Sequence, residues 1–183
     1  MPSAPAAGAM RTLRRRGTYF RLAEPGWVDP LDTSYSQRTG SRWNPPGAFA
    51  VLYLNDSVPT SRLQVLHKLV GLPYGPEDLE PSEQHDLVTV EAPTLTHLDC
   101  ISDDGLASVA LPTSYPRHRN GRPVTHATCQ PIGRRAFERQ LAGVACRSAA
   151  TNATRDNHEL AFFERATGLH PTATARTPFA AWW

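Results

Sequence analysis

The chain has 183 residues, 40% hydrophobic and 20% charged, a composition that suits one ordinary globular domain. Its 19 basic and 17 acidic side chains leave a net charge of +2, which excludes a function built on strong attraction to nucleic acid. No stretch approaches the roughly 18 apolar residues of a membrane span, and Cys100, Cys129 and Cys146 form no CxxC pair; no membrane, no disulfide framework and a reducing cytoplasm are expected.

In chain order, residues 1–16 read as a flexible N-terminal arm, with Arg14, Arg15 and Arg16 as a solvated run, and residues 17–183 as the domain. Thr18–Leu22 is predicted as a first strand, followed by a mobile polar loop over 23–41. Asn44-Pro45-Pro46-Gly47 is a stiff turn that delivers the chain into Phe49–Leu54, an apolar run read as a strand buried on both faces. Arg42 and Trp43 are thereby held at the mouth of that strand, a placement suited to a ligand.

Asp56-Ser57 before Pro59 predicts a helix start. Leu63, Leu66, Leu69 and Val70 give its apolar stripe and Gly71 its end, while Thr60, Gln64 and His67 form a separate polar face. Residues 71–86 are a Pro- and acid-rich connection. Leu87–Val90 and a shorter run near Leu98–Ile101 are predicted as two strands. Residues 111–124 are a basic loop, and Ile132, Ala136, Phe137 and Leu141 mark a second amphipathic helix. Val144–Arg147 and Leu160–Phe163 read as strands, and the terminal Trp182-Trp183 pair is expected to dock on the domain or on a partner. Strands and helices mix without βαβ alternation, so the fold class is α+β or mixed α/β in one compact domain.

The sequence holds no GxxxxGK, GxGxxG or GxSxG motif. His126-x-x-Cys129 with Cys100 and Cys146 matches no common zinc spacing, so no metal is expected. Adjacent strand positions point to opposite faces, which argues against a His97–Cys100 catalytic pair.

The segments Tyr19-Phe20-Arg21, Ser41-Arg42-Trp43-Asn44-Pro45-Pro46-Gly47 and Leu52-Tyr53-Leu54 resemble the first half of a RES domain. Gln130-Pro131-Ile132-Gly133 and Gly143–Ala149 resemble its second half, so the resemblance spans about residues 17–165. It implies an ADP-ribosyltransferase-like fold and a cleft that takes NAD as substrate. The implied reaction is cleavage of the nicotinamide–ribose bond by hydrolysis or phosphorolysis, in the toxin of a bacterial toxin–antitoxin pair. A helix-turn-helix antitoxin is the implied partner, and a homo-oligomer stays open. The alternatives are a protein ADP-ribosyltransferase and a pseudoenzyme that binds NAD or ADP-ribose without turnover.

Residue by residue, the resemblance implies that Arg42, aided by Arg21, clamps the phosphates. Tyr53 reads as a ring for nicotinamide or as a core tyrosine, and Trp43 as part of the binding surface or as packing behind the arginine. Ser148 matches the family serine. The family glutamate falls at Gln64, which keeps the shape of a glutamate without its charge. Gln64→Glu is therefore expected to raise turnover about tenfold, unless another carboxylate has taken the role; Glu159 is the first such candidate and Asp56 the second.

Overall fold

The computed structural model describes residues 9–183. Its sheet comprises β1 (Thr12–Ala23), β2 (Val51–Asn55), β3 (Asp86–Cys100), β4 (Gly143–Arg147), β5 (His158–Phe163) and β6 (Thr172–Thr177). The helices are α1 (Ser34–Thr39), α2 (Val58–Lys68), α3 (Asp103–Ser108), α4 (His126–Glu138) and α5 (Phe179–Trp182). This is the expected mixed α/β class in a six-stranded sheet of order β1-β2-β5-β4-β3-β6. All pairings are antiparallel except β3–β4. Because β1 also pairs with β3, the first five strands close on themselves and β6 hangs on the outer edge of β3.

Strands β2 and β5 are buried on both faces, as the apolar run at 49–54 predicts. Val51 and Phe163 belong to one core with Trp43, Phe49 and Cys146, whereas Leu52, Leu54 and Phe162 belong to a second core with Tyr19, Val88 and Val90. The alternation is the period-2 pleat of a strand between two packed layers. Helix α4 covers the first core through Cys129, Ile132 and Ala136.

Several expectations need correction. Residues 12–16, assigned to a flexible arm, form the start of β1 and pair with β3, with Leu13 turned toward the second core; residues 1–8 of that arm lie outside the described residues. The two strands expected near 87–90 and 98–101 are one continuous strand, β3. The intervening residues 91–97 alternate between exposed and covered, so a polar stretch extends the strand instead of breaking it. The leucine stripe of α2 is not its buried face. Thr60, Ser61 and Val65 are buried, while Leu66 and Val70 are 40% and 62% exposed.

The C-terminal tryptophans dock on the domain. Phe179 and Trp182 join Val65 of α2 and Leu87 of β3 in a third core, and Trp182 Nε1 donates to the His85 carbonyl at 3.0 Å. Arg62 donates to the Trp182 carbonyl at 2.6 Å, and the Trp183 ring stacks on Phe179. Deleting residues 178–183 is expected to cost about 3 kcal/mol, the low end for losing large buried aromatics. That corresponds to a fall of roughly 6–12 °C in melting temperature for a chain of this size. An unchanged calorimetric melt would show that the docking carries no stability.

Candidate functional site

A cleft of about 410 Å³ opens between β1, β2, α2 and the segment from Trp27 to Arg42. The sequence builds its wall through a tight loop after α1. Gly40 sits at φ 69°, and a Cβ there would meet Pro46 at 2.7 Å, so only glycine fits against the Pro45-Pro46 turn. Ser41 N donates to the Asn44 carbonyl at 2.9 Å and closes the loop on itself. The buried Asn44 amide donates to the carbonyls of Ser36 (2.7 Å) and Phe49 (3.1 Å), fixing the loop to α1 and to the entry of β2.

The Tyr53 hydroxyl completes this frame. It accepts from Trp43 N and donates to Asn44 Oδ1, both at 3.1 Å. Burial pushes the phenol well above its ordinary pKa, so it remains a neutral anchor. From the far side, Gln130 of α4 donates to the Ser41 carbonyl at 2.9 Å. Gly133, one helical turn on, brings the α4 backbone against Trp43, where a Cβ would lie 1.9 Å from the Trp43 carbonyl oxygen. The result is a rigid support for Arg42, whose Nη1 donates to the Val124 carbonyl at 3.0 Å.

The floor is formed where α2 meets β5. Ser57 caps α2 by accepting from Thr60 N at 3.2 Å, and the helix then directs Gln64, His67 and Lys68 toward the cleft. Gln64 Nε2 donates to Glu159 Oε1 at 2.6 Å and to Ser148 Oγ at 3.3 Å. Ala149 N donates to the same Glu159 oxygen at 3.2 Å. His67 Nδ1 accepts from Thr151 N at 3.2 Å and so ties the helix to the turn after β4.

Charge in the cleft is poorly solvated on both sides. Burial lowers the Arg21 guanidinium to about 10, against the opposing pull of Asp32, Asp29 and Glu164. Arg21 Nη2 donates to the Asp32 carbonyl at 2.6 Å, but its buried Nη1 has no protein partner. Burial likewise lowers Lys68, and lowers His126 with help from the Arg42 charge. Burial raises Glu159, with Ser148, the Ala149 amide, Arg42 and Gln64 pulling the other way. Burial of Arg42 is outweighed by neighbours that include Glu159, which raise it overall. For Arg21 and Glu159, by contrast, the shift means that water stabilises the charged form less here than in bulk. A ligand bearing an anionic group near the arginines and positive charge near Glu159 relieves both. Perturbed groups gathered in one cleft are the usual mark of a functional site.

The chain matches the RES domain family over residues 18–182. It belongs to the RES family. No curated protein sequence matches it. Among solved structures it is similar to a chain of the M. tuberculosis MbcT–MbcA toxin–antitoxin complex. The two share 21% identity at a TM-score of 0.74, over 94% of this chain and 87% of that one. The fold is thus the ADP-ribosyltransferase-like fold that the resemblance implied.

Within this RES domain, Arg21, Arg42, Tyr53, Gln64 and Glu159 all line the cleft. Ser148 lies beneath it, 1% exposed, and communicates with it through Gln64. Trp43, expected among the NAD-binding residues, has no exposed surface and packs 6.0 Å from the Tyr115 ring centroid in the first core. The tight loop closed between Ser41 and Asn44 turns the indole inward, while its neighbour Arg42 lines the cleft. Asp56 is not a cleft residue either. It accepts from Thr60 Oγ1 at 2.6 Å and His158 N at 3.1 Å, joining α2 to β5.

Lys68, His126 and Trp27 were missed by sequence reading. Lys68 follows Gln64 by four residues and so shares its face, a signal that was available. Trp27 lies in the stretch expected to be a mobile loop, yet its ring sits 5.4 Å under the Arg21 guanidinium. Among the described residues no group of three or more His, Cys, Asp or Glu side chains could hold a metal ion. The three cysteines are free and buried. No helix among the described residues is long and apolar enough to cross a membrane.

Proposed function

We propose that this RES domain binds NAD in the cleft and cleaves its nicotinamide–ribose bond, acting as the toxin of a bacterial toxin–antitoxin pair in the cytoplasm. The observation that carries the reading is the separation of charge in one cleft. Arg21, Arg42 and Lys68 lie among its cations, with Glu159 as its partly buried carboxylate. NAD presents a pyrophosphate dianion and a ribose that becomes positive as its glycosidic bond breaks, as in other glycoside cleavages. Arginine matches phosphate with a planar fork of donors, and Arg21 Nη1 is a donor that no protein group satisfies.

The RES membership and the likeness to a chain of a toxin–antitoxin complex support the toxin role and an antitoxin partner; the antitoxin proposed is a helix-turn-helix protein. The purified full chain is expected to release nicotinamide from NAD, and chromatography of the products with and without phosphate identifies the acceptor as water or phosphate. Label transferred from NAD to a protein in cell lysate would indicate a protein ADP-ribosyltransferase instead. The uncharged Gln64 favours one further reading, a binding module without turnover. Tight ADP-ribose binding with no nicotinamide release under any of these conditions would establish that reading and overturn the enzyme.

A further inference from the structure

The register of the sheet places a carboxylate where the helix lacks one. Val51, Tyr53 and Asn55 of β2 alternate onto the cleft face. Asn55 pairs directly with Glu159 of the neighbouring β5. Directly paired residues on adjacent strands point to the same face, so Glu159 enters the cleft from the floor. Asp32, the other acidic cleft residue, is exposed at the rim and is occupied by the Ser34 hydroxyl at 2.7 Å and amide at 3.0 Å.

Resting on the NAD-cleavage reading above, we propose that Glu159 is the catalytic carboxylate of this protein and that Gln64 is its positioning residue. Gln64 Nε2 at 2.6 Å and Ala149 N at 3.2 Å both converge on Oε1 and, with the Ser148 hydroxyl beside the carboxylate, fix its orientation at the cleft. In the reaction the ribose C1′–nitrogen bond breaks and its electron pair departs with neutral nicotinamide. Glu159 stabilises the positive charge left on the ribose. Water attacks C1′ from the opposite face and gives its proton to solvent, or phosphate attacks in its place.

The same geometry explains why position 64 holds an amide. A glutamate there would bring a second carboxylate to about the distance at which two acids share one proton. Gln64→Glu alone is therefore expected to lower turnover near neutral pH, in contrast to the gain expected from the sequence. Burial of Glu159 supports an acidic limb of the pH profile above the ordinary carboxylate range. As pH falls through that limb Glu159 takes a proton and turnover is lost. Gln64→Ala removes a donor that favours the charged form, so it should move the limb to still higher pH.

The test measures nicotinamide release and ADP-ribose affinity on the purified full chain. Glu159→Gln is expected to slow release 100- to 1,000-fold, with ADP-ribose affinity changed only a few-fold. The reversed pair Gln64→Glu/Glu159→Gln keeps one carboxylate and one amide in contact and should recover at least tenfold over Glu159→Gln. Release by Glu159→Gln within threefold of wild type overturns this proposal and leaves NAD cleavage standing. If that variant does not fold, the reversed pair decides: folded protein that binds ADP-ribose but recovers no turnover overturns it. Absence of release by wild type, with or without phosphate, removes the NAD-cleavage reading and this one with it.

Discussion

Gly133→Ala is expected to melt roughly 6–12 °C below wild type, or not to accumulate as folded protein, and to lose affinity for ADP-ribose. In an exposed helix the change would help, since alanine is the better helix former by about 1 kcal/mol. Here the new methyl would lie 1.9 Å from the Trp43 carbonyl oxygen. That neighbour is backbone, so no side chain can rotate away. Either α4 lifts off the first core or the loop bearing Arg42 shifts. Overpacking a filled core costs about 1–3 kcal/mol or more, and a clash against fixed backbone belongs at the upper end. At 2–4 °C per kcal/mol the melting temperature falls as stated. Gly26 is the control, because a Cβ there meets nothing within 4 Å. Equal melting of Gly133→Ala and Gly26→Ala would show that α4 does not brace the loop.

This bracing explains why two segments far apart in sequence, Arg42–Gly47 and Gln130–Gly133, resemble the same family together. One carries the arginine and the other holds the backbone beneath it, through Gln130 and the bare Cα of Gly133. Sequence alone identifies both segments but not their contact, because nothing local encodes a pairing across some ninety residues. The same limit applies to β6. Thr172–Thr177 is exposed along nearly its whole length, so it lacks the apolar alternation that reveals a strand and owes its form to pairing with β3.

Where burial and period agree, the sequence is read correctly. The doubly buried β2, the Ser57 cap, β4 and β5 fall within a few residues of their expected places. Helix α2 misleads because its inward face is polar. Thr60 and Ser61 are buried there, with hydrogen bonds to Asp56 and to the Ser57 carbonyl, while Leu66 and Val70 face outward. Period-based reading assigns the apolar stripe to the core, and a helix that lines a polar cleft defeats it. Trp43 is the converse case. An aromatic beside an arginine expected to bind phosphate suggests a stacking surface, and only the bent geometry of the loop shows that the two side chains part to opposite sides. Glu159 was legible as a carboxylate near Ser148, but its contact with Gln64 depends on the β2–β5 register.

Arg42→Ala is expected to weaken ADP-ribose binding at least 100-fold while lowering the melting temperature by only a few degrees. ADP-ribose is the suitable probe because it retains the pyrophosphate and has no nicotinamide bond left to cleave. A guanidinium making two charge-assisted hydrogen bonds to phosphate contributes about 1.5–3 kcal/mol through each, and 2.7 kcal/mol is already 100-fold in affinity. The stability cost is not zero, because Arg42 Nη1 also satisfies the Val124 carbonyl just before α4. Losing that bond costs about 1 kcal/mol, or roughly 2–4 °C. Arg42→Lys separates the two roles of the side chain. Lysine restores the charge without the planar fork, so its affinity should fall between those of wild type and alanine. If the fork were immaterial, lysine would bind as wild type does. A calorimetric titration in which folded Arg42→Ala keeps its full affinity would remove the arginine from the site and leave Arg21 and Lys68 to hold the phosphates.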